Sequence, residues 1–282
     1  MIDALLSSLS RAPTGDFIYS SLSFFARRRG DELPGRWFVD AIGSLGIDEH
    51  AIRQTLFRME RGKSLLTRWE GRNKWYRASP TTIAVMDAGV ARISSHSTDE
   101  WDGAWTLVHF RIGEGARDLR DRIRDVLLVE GFGSLGPGLY LHPRDRTTRL
   151  LEAAGELGLS ARLNVFRGPH VAGMDDARLV HELWDVAALS RRYQEFIRRY
   201  SPVASSDTAR FSAKESFALR FSFMFEFFRI TWDDPSLPSI LLPADWPGEK
   251  ARAIANTLEN MLLPGALEYG DAVLAESGLV VR

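Results

Sequence analysis

Between Asp48 and Ser79 the chain gathers Arg53, Arg58, Arg61, Lys63, Arg68, Arg72, Lys74 and Arg77 against four acids, Asp48, Glu49, Glu60 and Glu70. The full 282 residues carry 36 basic and 37 acidic side chains, for a formal net charge of -1, so this is a local patch in a balanced protein. Any polyanion must then be held by the patch and not by overall charge. With Asp48 as N-cap and about 100° per residue, Ile52, Thr55, Leu56 and Met59 fall on one side of a helix. The other side collects His50, Arg53, Gln54, Phe57, Arg58 and Arg61. Guanidinium and carboxamide groups on such a face can donate to guanine O6 and N7 or pair bidentately with adenine in a major groove. The plainer alternative is a solvated amphipathic helix, although such a face more often mixes Lys with Glu.

The elements around this helix sharpen the choice. Two strand-like runs, Leu65 to Glu70 and Lys74 to Ala78, are separated by Gly71-Arg72-Asn73, whose Gly and Asn tolerate the positive φ of a tight hairpin. The hairpin carries Arg68, Arg72, Asn73 and Lys74, placed where a β-wing meets phosphates or the minor groove. Upstream, one helix runs from an Asp16 cap to the Arg27-Arg28-Arg29-Gly30 stop, and a second from about Trp37 to Ser44. Three helices and a hairpin over 12–79 make a winged helix-turn-helix with the third helix as reader. Phe57 interrupts the polar face; packing under the wing is the expectation, contact with a thymine methyl the alternative.

Ser79-Pro80 opens a linker helix over 80–101, with Ser as cap and Pro at the first helical position. Its seam of Ile83, Met86, Val90 and Ile93 needs a partner, from the same chain or from a second subunit. Over 102–170 the order is a strand from Trp105 to Arg111, an amphipathic helix through Leu119, Ile123 and Leu127, and a hairpin at Gly136-Pro137-Gly138. A helix from Asp145 to Leu157 and a strand from Ala161 to Arg167 complete it. That β-α-β-β-α-β order is ferredoxin-like. The remainder, 171–282, reads as a helical domain with helices over about 175–200, 207–231 and 248–263. Between the last two lies a segment whose four prolines forbid a continuous helix. The Phe217, Phe221, Phe225 and Phe228 helix is expected to be buried all round, or buried on one side with a dimer partner on the other. The fold class is therefore α+β, with a winged helix, a ferredoxin-like domain and a helical C-terminal domain.

Composition excludes several chemistries. There are no cysteines, which removes disulfides and thiolate metal sites and fits a cytoplasmic location. The most apolar window, Phe217 to Ile230, is interrupted by charges and falls short of the roughly 20 residues a bilayer span needs, so no membrane partner is expected. Gly131-Phe132-Gly133-Ser134-Leu135-Gly136 matches a dinucleotide fingerprint in letters, but a strand and not a helix follows it. The six histidines have no paired spacing, and His109 and His142 on strands read as satisfied core residues. No catalytic residue, metal or cofactor is expected, and the protein is not read as an enzyme.

Four stretches carry a resemblance to the phenylacetate-degradation repressor family, PaaX. They are Ala51 to Arg58 with Trp75-Tyr76-Arg77, Gly138-Leu139-Tyr140-Leu141-His142-Pro143, Leu183-Trp184-Asp185-Val186, and Asp234-Pro235-Ser236-Leu237-Pro238 with Leu241 to Gly248. The last is the most specific, since a winged helix is common to very many regulators. The resemblance implies a bacterial repressor that binds a palindromic double-stranded DNA operator as a homodimer and is released by an aryl-coenzyme A thioester such as phenylacetyl-coenzyme A. It also implies a middle domain similar to the small ferredoxin-like nuclease of CRISPR adaptation systems. The first strand here ends His109-Phe110-Arg111 in place of the acid that nuclease needs, so its catalysis is not implied.

A thioester effector wants cations for its phosphates and an apolar pocket for its acyl tail. Tyr140, His142, Arg144 and Arg146 in the middle domain, or Arg191 and Arg198 on a later helix, are candidates, with solvated surface arginines as the plainer alternative. Two competing functions remain: a metal-dependent nuclease using Asp99, Glu100 and Asp102, and a DNA-binding protein without a ligand.

Overall fold

The structure, a computed structural model, describes residues 9, 12–94, 100–112, 116–168, 175–207 and 210–278, apart from the side chains of 88 and 91–94. It divides into two compact units: 1–94 with 194–229 and 249–282, and 95–193 with 230–248. The residues expected as one helical domain, 171–282, are thus shared between the two units.

The first unit begins with α1 (Thr14–Phe24), a short edge strand β1 (Glu32–Pro34), α2 (Gly35–Gly43) and α3 (Glu49–Arg61). β2 (Leu65–Glu70) and β3 (Asn73–Ala78) follow, and the sheet order is β1-β3-β2, all antiparallel. This is the expected winged helix. β1 was not anticipated: three residues ending in a proline carry no alternation, and the strand exists through its pairing of Glu32, Leu33 and Pro34 with Arg77, Tyr76 and Trp75. The Asp48 carboxylate accepts from the Ala51 amide at 2.9 Å, so the expected N-cap starts α3.

Helices α8 (Val186–Ala204), α9 (Ala213–Asp233) and α10 (Gly248–Glu276) contribute to both units or complete the first. Phe217, Phe221, Ala266, Val273 and Leu274 belong to the same buried cluster as Phe17, Phe24, Trp37 and Phe38, so the winged helix does not close its core alone. Trp37 stacks on Phe25 at 4.9 Å and donates its indole N–H to the Gly270 carbonyl at 2.9 Å. A Cβ on Gly270 would lie 2.5 Å from the Phe25 ring, so this contact requires glycine. α10 passes through Pro264 and does not stop at Leu263, because burial of Leu262, Ala266 and Val273 outweighs one lost backbone bond. α9 starts six residues after the expected Asp207, on a reciprocal cap in which Ser212 and Glu215 each accept from the other's amide.

Helix α4 (Pro80–Ser94) keeps its expected cap, the Thr82 amide donating to the Ser79 hydroxyl. Ile83 and Met86 pack on the first unit's core and Gly89 is buried with Phe228 beside it. The first half of the seam therefore finds its partner within the chain. Val90 is half exposed, and the Ile93 side chain lies outside the described residues. Phe217, Phe221, Phe223 and Phe227 are buried as expected, while Phe228 is partly exposed.

The second unit contains β4 (Trp105–His109), α5 (Arg117–Val129), β5 (Gly133–Gly136), β6 (Leu139–His142), α6 (Thr147–Glu156) and β7 (Asn164–Gly168). The sheet order β5-β6-β4-β7 puts the first strand between the third and fourth, the ferredoxin-like arrangement. The glycine-rich run becomes β5 and its turn, as its failure to open a helix implied. Helix α7 (Asp176–Leu183) ends at Trp184, where one continuous helix was expected. Trp184 takes extended backbone, stacks on Trp105 and donates its indole N–H to the Gly131 carbonyl, and Asp185 then caps α8 through the Ala188 amide at 2.8 Å. Among the described residues no helix is long and apolar enough to cross a membrane.

His142 is wholly buried on β6, accepting from the Arg144 amide at 3.0 Å and lying 3.1 Å from the Pro235 carbonyl. His109, expected in the core, is exposed, and its neighbour Val108 takes the face of β4 that packs on α5. Desolvation, aided by the Arg146 charge, pushes the His142 imidazole down to about 3, so it folds neutral. Its folded value lies below the ordinary one near 6.5, so its contribution is complete above that pH and is lost as pH falls toward 3. Between pH 7 and pH 5, urea unfolding should cost the natural protein about 2 kcal/mol more stability than it costs His142→Gln. Equal losses in the two proteins would show that the imidazole does not fold neutral. Separately, Asp48→Ala should lower stability by about 1 kcal/mol in the same assay, through the lost cap of α3.

Candidate nucleic-acid interface

Ile52, Thr55, Leu56 and Met59 are buried against the first unit's core, so the opposite face of α3 is turned to solvent. His50, Arg53, Gln54, Phe57, Arg58 and Arg61 are all exposed there. Arg53 donates to Glu49 at 2.7 Å, the Gln54 amide lies 2.8 Å from His50 Nε2, and Arg58 donates to the Thr55 hydroxyl at 3.0 Å. These contacts run along the helix and lie at the surface, where an exposed ion pair is worth about 1 kcal/mol or less and is readily exchanged.

The wing divides its cations into two kinds. Arg72, at the turn beside Gly71 with φ +60°, is exposed. Asn73 is half-buried and pairs with Glu70 across the hairpin. Arg68, by contrast, donates to Glu32 at 2.8 Å and to Glu70 at 2.9 Å, and stands over the Trp75 ring. Lys74 binds Glu60 at 2.6 Å, a carboxylate that also accepts from Thr67, and the Lys74 ammonium holds Glu60 below the usual carboxylate range. Arg68 and Lys74 thus brace the wing against β1 and against the end of α3. Arg72 is left at the tip.

Phe57 does not pack under the wing: it is 56% exposed, with the Arg61 guanidinium 5.8 Å from its ring centre. Trp69, which the sequence reading passed over, is 67% exposed near the wing tip. It shares a strand face with buried Leu65, but the hairpin runs on past the core, so strand alternation alone does not mark it as exposed. The surface thus presents cations, a carboxamide and two aromatic rings.

The effector candidates are scattered. Tyr140 is buried and stacked on Phe110, and His142 is the core histidine described above. Arg144 donates to the Ser236 carbonyl at 3.0 Å, and Arg146 is half-buried. Together with His142, Arg144 anchors the Pro235–Ser236 segment. Arg191 and Arg198 are exposed on α8, Arg198 beside Glu195, whereas Tyr193 and Tyr200 on the same helix are buried. Among the nuclease candidates, Asp102 is bound by Arg167, Glu100 is exposed, and Asp99 lies outside the described residues. Among the described residues no group of three or more His, Asp or Glu side chains could hold a metal ion.

Residues 98–180 match the model of the PaaX protein central Cas2-like domain, and 184–272 that of the PaaX-like protein C-terminal domain. The transcriptional repressor PaaX of Escherichia coli is 25% identical over 264 residues, covering 89% of this chain and 83% of that protein. Among solved structures, the uncharacterized protein Rv0674 from Mycobacterium tuberculosis has the same fold, with a TM-score of 0.56 and 24% identity over 84% of this chain and 89% of that one. With both domain models matched in order along most of its length, the chain belongs to the PaaX family.

Proposed function

We propose that the protein is a transcriptional repressor that reads a palindromic double-stranded operator as a dimer and is released by an aryl-coenzyme A thioester such as phenylacetyl-coenzyme A. The observation that carries the DNA reading is the solvent face of α3, where His50, Arg53, Gln54, Arg58 and Arg61 stand free of the core on a helix fixed by its buried stripe. The relative named as a transcriptional repressor supports the same role, as a regulator and not an enzyme. In this reading Arg53, Gln54 and Arg58 contact base edges, Phe57 offers an apolar surface to a thymine methyl, and Arg61 and Arg72 meet phosphates. Asn73 sits at the wing turn. Arg68 and Lys74 act by holding the wing in place. Two such helices in a dimer would address half-sites about 34 Å apart, and an effector favouring a different dimer arrangement would lower operator affinity by its preference for that state.

An operator selected from random duplex DNA should be bound in a gel shift by the natural protein. Arg53→Ala and Arg58→Ala should each cost about 1 to 3 kcal/mol and relax the preferred sequence. Undiminished specific affinity in the double substitution would remove α3 as the reading element. Arg72→Ala should weaken selected and unrelated sequences alike and reduce the slope of log affinity against log salt by about 1. A sequence-dependent loss would instead make Arg72 a base-reading residue.

A further inference from the structure

In the second unit a cavity of about 230 Å³ opens beside the first turns of α8. Its apolar lining comes from Trp184, Val186, Leu189, Leu237, Leu242 and Trp246. Two segments that carried the family resemblance, the helix break at Trp184 and the proline-punctuated stretch before α10, therefore meet at one hollow. The walls are held from behind: Trp184 is stacked on Trp105 and bonded to the Gly131 carbonyl, and Trp246 packs edge-on against Tyr193 at 5.6 Å.

The polar groups at the cavity are already engaged with one another. Arg192 binds Asp233 at 2.6 Å, and Asp234 accepts from the Tyr193 hydroxyl at 2.6 Å and from the Ser236 amide at 2.7 Å. Asp185 is occupied as the cap of α8. Three carboxylates against one guanidinium leave the lining two negative charges in excess, which opposes an anionic group inside. Size and walls favour a flat neutral group: an apolar cavity of roughly 150 Å³ already holds benzene, and aromatic walls favour stacked or edge-on rings.

We propose that this cavity is the acyl-binding site for the effector and takes a neutral aryl ring with a short linker. The inference rests on the thioester reading given above and assigns it a place, a hollow lined by none of Tyr140, His142, Arg144 and Arg146, although His142 borders its Pro235 and Trp184 walls. A thioester is uncharged at its acyl carbon and fits; a free aryl carboxylate brings its charge to an acidic lining. The polyphosphate end of the thioester lies outside.

Calorimetric titration of the full chain with phenylacetyl-coenzyme A, phenylacetate and coenzyme A tests this, with operator release followed by gel shift in parallel. Ala188→Trp on α8 and Leu242→Trp in the stretch before α10, both at half-buried lining positions, fill the hollow. Phenylacetyl-coenzyme A should bind the natural protein at least about tenfold more tightly than either phenylacetate or coenzyme A. Each filled variant that melts like the natural protein should bind it at least about tenfold more weakly, while holding the operator normally. A filled variant of unchanged melting that keeps full affinity for phenylacetyl-coenzyme A would overturn the site, as would absence of binding to the natural protein. Failure of the natural protein to bind any selected operator would instead strike the repressor reading, with the cavity still judged by calorimetry.

Discussion

A helix that buries one stripe must turn the other outward, and α3 has no freedom to do otherwise. Ile52, Leu56 and Met59 are each almost wholly removed from solvent, and burying a side chain of that kind is worth about 1.5 to 3 kcal/mol. Rolling the helix by even a quarter turn would expose them and drive guanidinium groups toward the core, at a cost far beyond any gain. The outward position of Arg53, Gln54, Arg58 and Arg61 is thus a consequence of packing, and every functional statement about the first unit depends on it.

The core that receives this stripe is built from distant parts of the chain. Phe217 and Phe221 on α9 and Ala266, Val273 and Leu274 on α10 close over Phe17, Phe24 and Trp37. Polar links reinforce the closure: Arg29 donates to Asp271 at 2.6 Å, and Arg220, almost fully buried, binds Glu259 at 2.8 Å with its guanidinium 4.0 Å from the Phe24 ring. Desolvation lowers the proton affinity of Arg220, and the adjoining Glu259 opposes that shift. Breaking such a pair by removing one partner leaves an uncompensated buried charge. Most of α9 and α10, although they follow the ferredoxin-like domain in sequence, therefore belong to the same packed unit as the winged helix.

Much of this was legible in the sequence where the signal is local. The Asp48 cap, the period of α3, the hairpin at Gly71 to Asn73, and the β-α-β-β-α-β order all follow from spacing and turn chemistry. What could not be read locally depends on partners far along the chain. Nothing near Arg68 or Lys74 predicts that Glu32 and Glu60 would claim them, and nothing near Phe57 says that the wing leaves it uncovered. The break at Trp184 is set by Trp105 and Gly131, and the continuation of α10 through Pro264 by the apolar partners on either side of it. Tyr140 is an effector candidate by its place beside a strand end, yet that strand buries it against Phe110, whereas His142 is the satisfied core residue its strand position implied.

The central claim is that the solvent face of α3 and the wing turn form the surface that meets duplex DNA. Arginine-directed chemical labelling of the intact protein, read residue by residue by mass spectrometry with and without a selected operator, tests it most directly. The account predicts that Arg53, Arg58, Arg61 and Arg72 lose reactivity in the complex while Arg191 and Arg198 keep theirs. Unchanged labelling of the first four, with protection appearing on arginines elsewhere, would contradict it.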